Sequence, residues 1–287
     1  MIPVLLTKIK TRDGIWLDGI VVEPKRKSKT ALIWIHGLGS NFSRDQERTK
    51  ELSLLCQKNG IGYFKFNTRG HDLAARGNKK KKIIGAGFEK FEECILDIRA
   101  IILFAKKLDY KNIILAGHST GANKALYYVY KTKDHRIKGL ILCGAISDVP
   151  AGIQEYGLQK FTRGLLIGQK LLRKKSQSLM PLQFSIMTPA RFLSLYKAGS
   201  KEDVFPYHNQ NSNWKELKSV KVPVAVIIGS HDQYLDRPAK EFVSIFQKNA
   251  TSTKSFSGII IKGADHSFHK REKELADAII HWIVEID

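Results

Sequence analysis

The sequence predicts an α/β protein: a doubly wound, mostly parallel sheet with a helical segment inserted late in the chain. Short, continuous apolar runs recur along the 287 residues, as expected for strands that are buried on both faces. Stretches with the spacing of amphipathic helices separate these runs. Strands that alternate with helices are typical of a parallel sheet covered by helices on both sides. The length fits one large domain.

A hairpin is predicted at the start of the chain. Residues 4–10 and 15–22 alternate apolar and polar side chains around the turn Arg12-Asp13-Gly14. Because a hairpin joins antiparallel strands, we expect this pair at an antiparallel edge of the sheet.

The later elements are predicted from apolar runs and helical spacing. Buried strands are predicted at residues 31–35, 61–66, 112–116, 139–143, 222–228 and 257–262. Helices are predicted at residues 43–58, 88–107, 122–130 and 270–286. The first of these helices ends at Asn59-Gly60, a favourable C-terminal cap.

Residues 149–217 interrupt the alternation of strands and helices. They contain helical segments but no convincing buried strand, and they mix basic with apolar side chains. We therefore predict one α/β core of residues 1–148 and 218–287, with 149–217 inserted as a helical lid. Residues 158–175 also fit a basic amphipathic helix that lies on a membrane surface.

The charge balance is strongly basic. Lys and Arg number 48 against 27 Asp and Glu, a formal net charge of +21. The basic residues form short runs at 25–27, 79–82 and 173–175, without the interleaved aromatic side chains of a single-strand-binding platform. This pattern favours solvated surface charge and no specific nucleic-acid partner, and it leaves attraction to anionic substrates or membranes open.

Cysteine usage and the chain start indicate a soluble cytoplasmic protein. Cys56, Cys94 and Cys143 lie far apart in apolar contexts, as expected for free thiols in a reducing compartment. The N-terminus turns polar too soon for a signal peptide, and no apolar stretch is long enough to form a transmembrane segment. A homodimer is left open.

The motif Gly117-His118-Ser119-Thr120-Gly121 lies between a predicted strand and a predicted helix. G-x-S-x-G in a strand–turn–helix setting is typical of a nucleophile elbow, which exposes the serine hydroxyl above the sheet edge. The turn is so tight that a Cβ atom at either glycine would meet backbone. A lone serine in such a turn could instead be a helix N-cap.

A nucleophilic serine needs a base and an acid that orients the base. Asp232 follows the predicted strand 222–228 and is the candidate acid, with Asp236 as the fallback; the alternative role is that of a turn aspartate. His266 follows the last strand and is the candidate base, whereas His269 fits a surface position. The order serine, acid, histidine is the one that the elbow motif requires.

The oxyanion of a tetrahedral intermediate needs two N–H donors. The amide of Thr120, the residue after the serine, is one candidate, and the Leu38 amide in the loop after strand 31–35 is the other. Gly37 and Gly39 would let the backbone approach the substrate, while His36 braces the loop.

Further substrate contacts are predicted from His118 in the elbow and from apolar residues of the insertion. The latter are Phe184, Met187 and Phe192. With the neighbouring lysines, they suggest an ester with a hydrophobic acyl or aromatic part and an anionic group. The sequence contains no metal-ligand spacing, phosphate loop or dinucleotide fingerprint, so we expect neither a metal nor a cofactor.

Five segments together resemble the α/β-hydrolase superfamily. They are Ile35-His36-Gly37-Leu38-Gly39, Asn67-Thr68-Arg69-Gly70-His71, Gly117-His118-Ser119-Thr120-Gly121, Gly229-Ser230-His231-Asp232 and Gly263-Ala264-Asp265-His266. Within it, residues 117–123 and 188–192 resemble the branch of fungal siderophore esterases, and bacterial cinnamoyl and feruloyl esterases have a similar lidded layout.

The resemblance implies a serine esterase that cleaves a small-molecule carboxylic ester through an acyl-enzyme. The same triad also serves peptidases, thioesterases, lactonases and acyltransferases, which therefore stay open. The alternative from another class is a binding protein that keeps the fold without catalysis.

Overall fold

A computed structural model describes residues 3–26, 28–77, 82–174 and 178–286. The predicted basic runs fall partly outside the described residues: Lys79–Lys81 do, and so do Lys27 and Lys175.

The strands and helices follow in chain order. The strands are β1 (Leu5–Lys10), β2 (Trp16–Val22), β3 (Thr30–Ile35), β4 (Gly62–Phe66), β5 (Ala75–Arg76), β6 (Ile83–Ile84), β7 (Asn112–His118), β8 (Ile137–Cys143), β9 (Val224–Gly229) and β10 (Phe256–Ile261). The helices are α1 (Gln46–Lys58), α2 (Cys94–Lys107), α3 (Thr120–Thr132), α4 (Asp148–Tyr156), α5 (Leu158–Arg173), α6 (Pro189–Tyr196), α7 (Lys215–Lys218), α8 (Ala239–Asn249) and α9 (Glu272–Ile286).

The main sheet has eight strands in the order β1-β2-β4-β3-β7-β8-β9-β10. The strands from β4 through β10 in this order pair in parallel, whereas β1 pairs antiparallel with β2, and β2 with β4. The predicted α/β fold is confirmed, and the first hairpin lies at the antiparallel edge of the sheet.

Helices cover both faces of the sheet. On one face, Ile98 of α2, Leu126 of α3 and Phe246 of α8 pack in the larger apolar cluster. On the other face, Leu52 of α1 and Trp282 of α9 pack in a second cluster. The central strands are therefore buried on both sides, which explains their continuous apolar sequences.

Two predicted helices begin later than their spacing suggests. The Asn41 side chain accepts hydrogen bonds from the N–H groups of Ser43 and Arg44, and Asp45 adopts a φ of 56°, so α1 starts only at Gln46. The predicted helix at 88–107 begins as a 3₁₀ turn at Phe91–Glu93 before α2. Helix α8 and the small β5–β6 ribbon were not predicted.

The chain between β8 and β9 carries α4, α5, α6 and α7 and, within residues 149–174 and 178–217, no strand. Helices α4, α5 and α6 enclose an apolar cluster of their own that includes Phe161, Phe192 and Tyr196. Thr188 caps α6 by accepting the Arg191 N–H, and Pro189 occupies the first helical position.

A buried ion network joins this insertion to the core. The Arg191 guanidinium of α6 pairs with Glu202 through two hydrogen bonds, one of 3.0 Å, and lies 3.3 Å from Glu89. Glu89 accepts a hydrogen bond of 2.8 Å from the Lys124 ammonium of α3. All four side chains are fully buried or nearly so, hence each charge depends on its partners.

None of the helices in the described ranges is both long enough and apolar enough to cross a membrane.

Candidate active site

Ser119 lies between β7 and α3 with φ 55° and ψ −130°, a conformation that non-glycine residues rarely adopt. The flanking glycines make this turn possible. A Cβ atom at Gly117 would lie 2.2 Å from the Gly121 carbonyl oxygen, and one at Gly121 would lie 2.3 Å from that of Ile35. As expected from the sequence, a side chain at either glycine would therefore clash with the backbone.

Asp232 and His266 meet at the carboxyl ends of β9 and β10. The His266 Nδ1 atom lies 2.8 Å from Asp232 Oδ2, and because a carboxylate can only accept, Nδ1 carries the proton. The other oxygen, Oδ1, accepts the Tyr234 N–H at 3.0 Å. Since the Asp232 side chain is buried, these two bonds hold both the carboxylate and the imidazole ring.

Three contacts hold the backbone of His266 and Ser267. His118 Nε2–H donates to the His266 carbonyl oxygen at 2.8 Å, and Arg48 donates to the Ser267 carbonyl at 3.0 Å. Gln233 accepts the His266 N–H at 3.2 Å. Burial, followed by the nearby Arg48 charge, holds the pKa of His118 well below its usual value, so this ring is a neutral donor.

Ser119 and His266 line one cavity of about 480 Å³, with Asp232 behind the imidazole. The core contributes the loop Gly37, Leu38, Gly39, Ser40, together with Arg44, Asp45, His118, Thr120, Ile146, Tyr234 and Ser267. Helix α4 contributes Asp148, Ala151, Gly152 and Glu155, and α6 contributes Leu195 and Tyr196. The candidate triad and the predicted oxyanion loop are thus in one place.

The loop after β3 approaches Ser119 closely. A Cβ atom at Gly37 would lie 3.0 Å from Ser119 Cβ and 3.5 Å from its Oγ. The Leu38 amide has no hydrogen-bond partner among the described residues. Thr120 is the first residue of α3, where an N–H has no acceptor within the helix. Both amides are therefore available to a ligand.

His36 braces this loop, as its sequence position suggested. Its Nδ1–H donates to the Gly37 carbonyl at 2.8 Å, and its Nε2 accepts the Thr68 N–H at 2.9 Å. Burial lowers the pKa of His36 to about 3, so the ring stays neutral.

The cavity wall is partly polar. The buried hydroxyls of Ser40 and Thr120 have no hydrogen-bond partner within the described chain. Asp148 lies on the same wall, and burial together with the Glu202 charge raises the pKa of its carboxyl well above the usual value. The cavity wall therefore contains polar groups as well as apolar ones.

Three predicted substrate contacts require correction. Phe184, Met187 and Phe192 are nearly fully buried inside the insertion and do not line the cavity. Phe184 and Phe192 pack edge to face with ring centroids 5.4 Å apart. Their apolar character stabilises the insertion itself, because its helices cannot otherwise bury a core.

The insertion reaches the cavity mainly through a face of α4 that the sequence analysis missed. Asp148, Ala151, Gly152 and Glu155 recur at the spacing i, i+3, i+4, i+7 and line the wall together. Residues at this spacing share one face of a helix, and they directly follow β8, so the sequence alone could have indicated them as cavity residues. From α6, Leu195 and Tyr196 complete this side.

Other polar residues near the motifs have structural partners. Asp236 pairs with Arg237, and the exposed His269 pairs with Asp265. Arg69 is buried in ion pairs with Asp97, Asp13 and Glu93. The described part of the chain contains no cluster of ligands that could hold a metal ion.

Comparison with protein families gives a match over most of the chain. The family described as "Protein of unknown function (DUF1749)" matches residues 84–286, which is well over half of the chain. A relative from Mycoplasma genitalium, named "Putative esterase/lipase 3", is 23% identical over 263 residues, which cover 87% of this chain and 85% of the relative.

Solved structures share the fold at low sequence identity. Siderophore hydrolase EstB from Aspergillus fumigatus is 18% identical, with a TM-score of 0.72 and coverage of 100% of this chain and 99% of that chain. Est1E from Butyrivibrio proteoclasticus, solved with ferulic acid, is 19% identical, with a TM-score of 0.66 and coverage of 96% and 98%. The predicted resemblance to these esterases is confirmed, and it establishes an α/β-hydrolase fold.

Proposed function

The chain belongs to the DUF1749 family, and because that family is described as having no known function, we propose one from the site: a serine hydrolase that cleaves carboxylic esters. One observation carries the proposal. The strained Ser119 shares a cavity with His266, whose Nδ1–H is bound by the buried Asp232. These observations support the Ser-His-Asp arrangement that a serine nucleophile requires.

In the proposed reaction, Ser119 Oγ attacks the carbonyl carbon of the ester while His266 Nε2 takes the hydroxyl proton. Asp232 stabilises the imidazolium through the 2.8 Å bond to Nδ1. The carbonyl oxygen becomes an oxyanion, which the amides of Leu38 and Thr120 would bind. Gly37 lets that loop lie close to Ser119, and Gly39 allows the positive φ of 64° in the same loop.

The tetrahedral intermediate then collapses. The bond to the alcohol oxygen breaks, His266 gives its proton to the leaving alcohol, and the acyl group remains on Ser119 Oγ. A water molecule, deprotonated by His266, attacks the acyl-enzyme and releases the carboxylic acid. His118 would act here through the His266 backbone and contact the substrate only at the cavity wall.

We assign residues 149–217 as a lid that forms one wall of the cavity. The contributions of α4 and α6 to the lining support this assignment. The wall combines apolar side chains with the polar groups of Asp148 and Glu155, so it favours an ester with both an apolar part and a hydrogen-bonding group.

The test compares turnover of a short p-nitrophenyl ester by the parent protein and by Ser119→Ala. We expect the variant to lose at least about a thousandfold in kcat while keeping its fold. Asp232→Asn should also lose activity, because the amide favours the wrong histidine tautomer. Ser252→Ala, which removes an exposed serine hydroxyl remote from the cavity lining, is the matched control. Equal turnover by Ser119→Ala would contradict the proposal.

Thioesters, lactones and amides would react by the same steps, so an ester, thioester and amide panel separates the enzymatic alternatives. The cytoplasmic location inferred from the sequence stays a prediction.

A further inference from the structure

The outer surface of the insertion combines positive charge with exposed apolar side chains. No acidic residue occurs between Glu155 and Glu202, although Lys and Arg recur throughout that stretch. Of the large apolar side chains exposed on the described protein, six belong to residues 158–186. They are Leu158, Leu166, Leu172, Leu179, Leu182 and Ile186, which we term the apolar patch.

The outward face of helix α5 carries an exposed leucine among its cations. Its inward face carries Phe161, Gly164 and Gly168, which pack against the apolar cluster of the insertion. The opposite face carries Arg163, Leu166, Lys170 and Arg173, spaced so that all four point the same way. Leu166 is 63% exposed among these cations. A helix that needed only solvation would not require a leucine there.

Residues 178–187, which follow α5, also have an inward side and an outward side. Met180, Phe184 and Met187 face inward, where Met180 and Phe184 lie next to the α5 glycines. Leu179, Leu182 and Ile186 face outward, and Leu182 is 89% exposed. The segment therefore lies along α5, and its outward side extends the apolar patch beyond the helix.

The cations of this surface lack acidic partners. Lys160, Arg163, Lys170, Arg173 and Lys174 are exposed, and in the described ranges none of them pairs with a carboxylate. Elsewhere on the surface, exposed lysines do pair, such as Lys8 with Asp18 and Lys201 with Glu92. The positive charge around the apolar patch is thus free to attract an anionic partner.

We propose that α5 and residues 178–186 form a surface that binds anionic lipid bilayers. Exposed leucines can enter the boundary between headgroups and acyl chains, while unpaired Lys and Arg attract anionic headgroups. A nucleic acid would use the cations but gain nothing from the leucines. An acidic protein partner would be expected to meet a defined groove, whereas the six apolar side chains protrude along a helix and a loop.

The surface lies one helix layer away from the candidate active site. Helix α5 packs on α4 and α6 through the insertion's apolar cluster, and α4 and α6 line the cavity. Binding would therefore hold the lid at the membrane, where amphiphilic esters concentrate. Membrane binding itself requires no turnover, so it is independent of the proposed catalysis and is measured with the Ser119→Ala protein as well.

The experiment is co-sedimentation of the full chain with vesicles of phosphatidylcholine alone or with about one third phosphatidylglycerol. We expect binding to the anionic vesicles that weakens as salt is raised. The pair Leu166→Ser and Leu182→Ser should reduce the partition coefficient about tenfold or more. The pair Lys170→Gln and Arg173→Gln should reduce it to a similar extent at low salt.

Matched controls replace residues of the same types elsewhere. Leu103→Ser removes a leucine that is 46% exposed on α2, and the pair Lys106→Gln and Lys107→Gln removes two exposed cations of the same helix. These variants should bind as the parent does, and thermal unfolding verifies that every variant is folded. Failure of the parent to bind anionic vesicles would overturn the proposal. Binding of the Leu166→Ser and Leu182→Ser variant at the parent's level would also overturn the proposal, because the surface would then bind anions through its charge alone.

Discussion

Individual residues of the site are constrained by close approaches of the backbone. Gly37 lies against Ser119, and Gly144, with a φ of 53°, lies against His266: a Cβ atom at Gly144 would be 3.1 Å from the imidazole Cε1. The reacting groups are therefore packed between glycines. Small changes at these positions should alter catalysis before they alter folding.

Gly37→Ala tests the approach of the oxyanion loop. The added Cβ would lie 3.0 Å from Ser119 Cβ, so the loop that carries the Leu38 amide must shift by a few tenths of an ångström. We expect kcat/KM to fall by about a hundredfold, the cost of losing one oxyanion donor. Steady-state kinetics with a p-nitrophenyl ester measures it. Gly121→Ala, whose Cβ would lie 2.3 Å from backbone oxygen, should instead prevent folding. Full activity of Gly37→Ala would contradict this account of the loop.

Substitutions of His118 test how the loop that carries His266 is held in place. His118→Phe keeps a ring in place but loses the donor to the His266 carbonyl, so kcat should fall about tenfold with little change in KM. His118→Gln keeps an N–H donor and should recover part of that loss. The measurement is kcat and KM across pH for both variants. Equal losses in the two variants would show that ring packing against Trp34, and not the hydrogen bond, is the role of His118.

The candidate triad could be predicted from the sequence, while most of the cavity wall could not. Ser119 and Asp232 follow buried strands and His266 follows the partly buried edge strand β10, and the parallel sheet brings these strand ends to one edge. Apolar character alone could not separate residues that line a cavity from residues that fill the lid, which is why Phe192 was misassigned. Asp148 was missed because its role depends on how α4 lies over the elbow.

Among the elements, the insertion depends on charges as well as on apolar packing. The chain Lys124, Glu89, Arg191 and Glu202 links α3 of the core to α6, and the Arg191 Nε–H also donates to the Ala86 carbonyl at 3.0 Å. Removing one member leaves buried charges with too few partners.

Arg191→Met should therefore destabilise the protein by about 3–5 kcal/mol, because Glu202 loses its main partner and Glu89 loses one of its two cations. Urea unfolding measures this free energy. The matched control is Lys201→Met, which breaks an exposed pair with Glu92 and should change the free energy of unfolding by less than about 1 kcal/mol. Similar effects of the two substitutions would contradict the role given to the buried network.

Element positions could be predicted well for strands and less well for helix starts. Four strands, β3, β4, β8 and β9, are short runs of mostly apolar residues, because a strand that is buried on both faces accepts few polar side chains. The start of α1 depends on side-chain bonds from Asn41, which periodicity does not reveal. Helix α8 was missed: only Phe242 and Phe246 of its residues are buried, so its apolar signal is short.

For the molecule as a whole, buried neutral histidines couple stability to pH. The pKa of His36 is about 3 in the folded protein and near 6.5 when the chain is unfolded. Below pH 6.5 the unfolded state therefore binds a proton that the folded state does not, and stability falls by about 1.4 kcal/mol per pH unit down to pH 3.

His36→Gln removes this contribution. Between pH 6.5 and pH 5, the parent should lose about 2 kcal/mol more of its unfolding free energy than the variant does. Urea unfolding at the two pH values gives the comparison, with exposed His281→Gln as the control. The same pH dependence in the parent and in His36→Gln would contradict a neutral, buried His36.

Reaction of the whole protein with a fluorophosphonate probe, followed by peptide mass spectrometry, tests the central claim most directly. The probe labels only a serine whose hydroxyl a neighbouring base activates. We predict a single label on Ser119, with no label in Ser119→Ala and slow labelling in His266→Ala. A label on another serine, or an unlabelled Ser119 in the folded protein, would contradict the account.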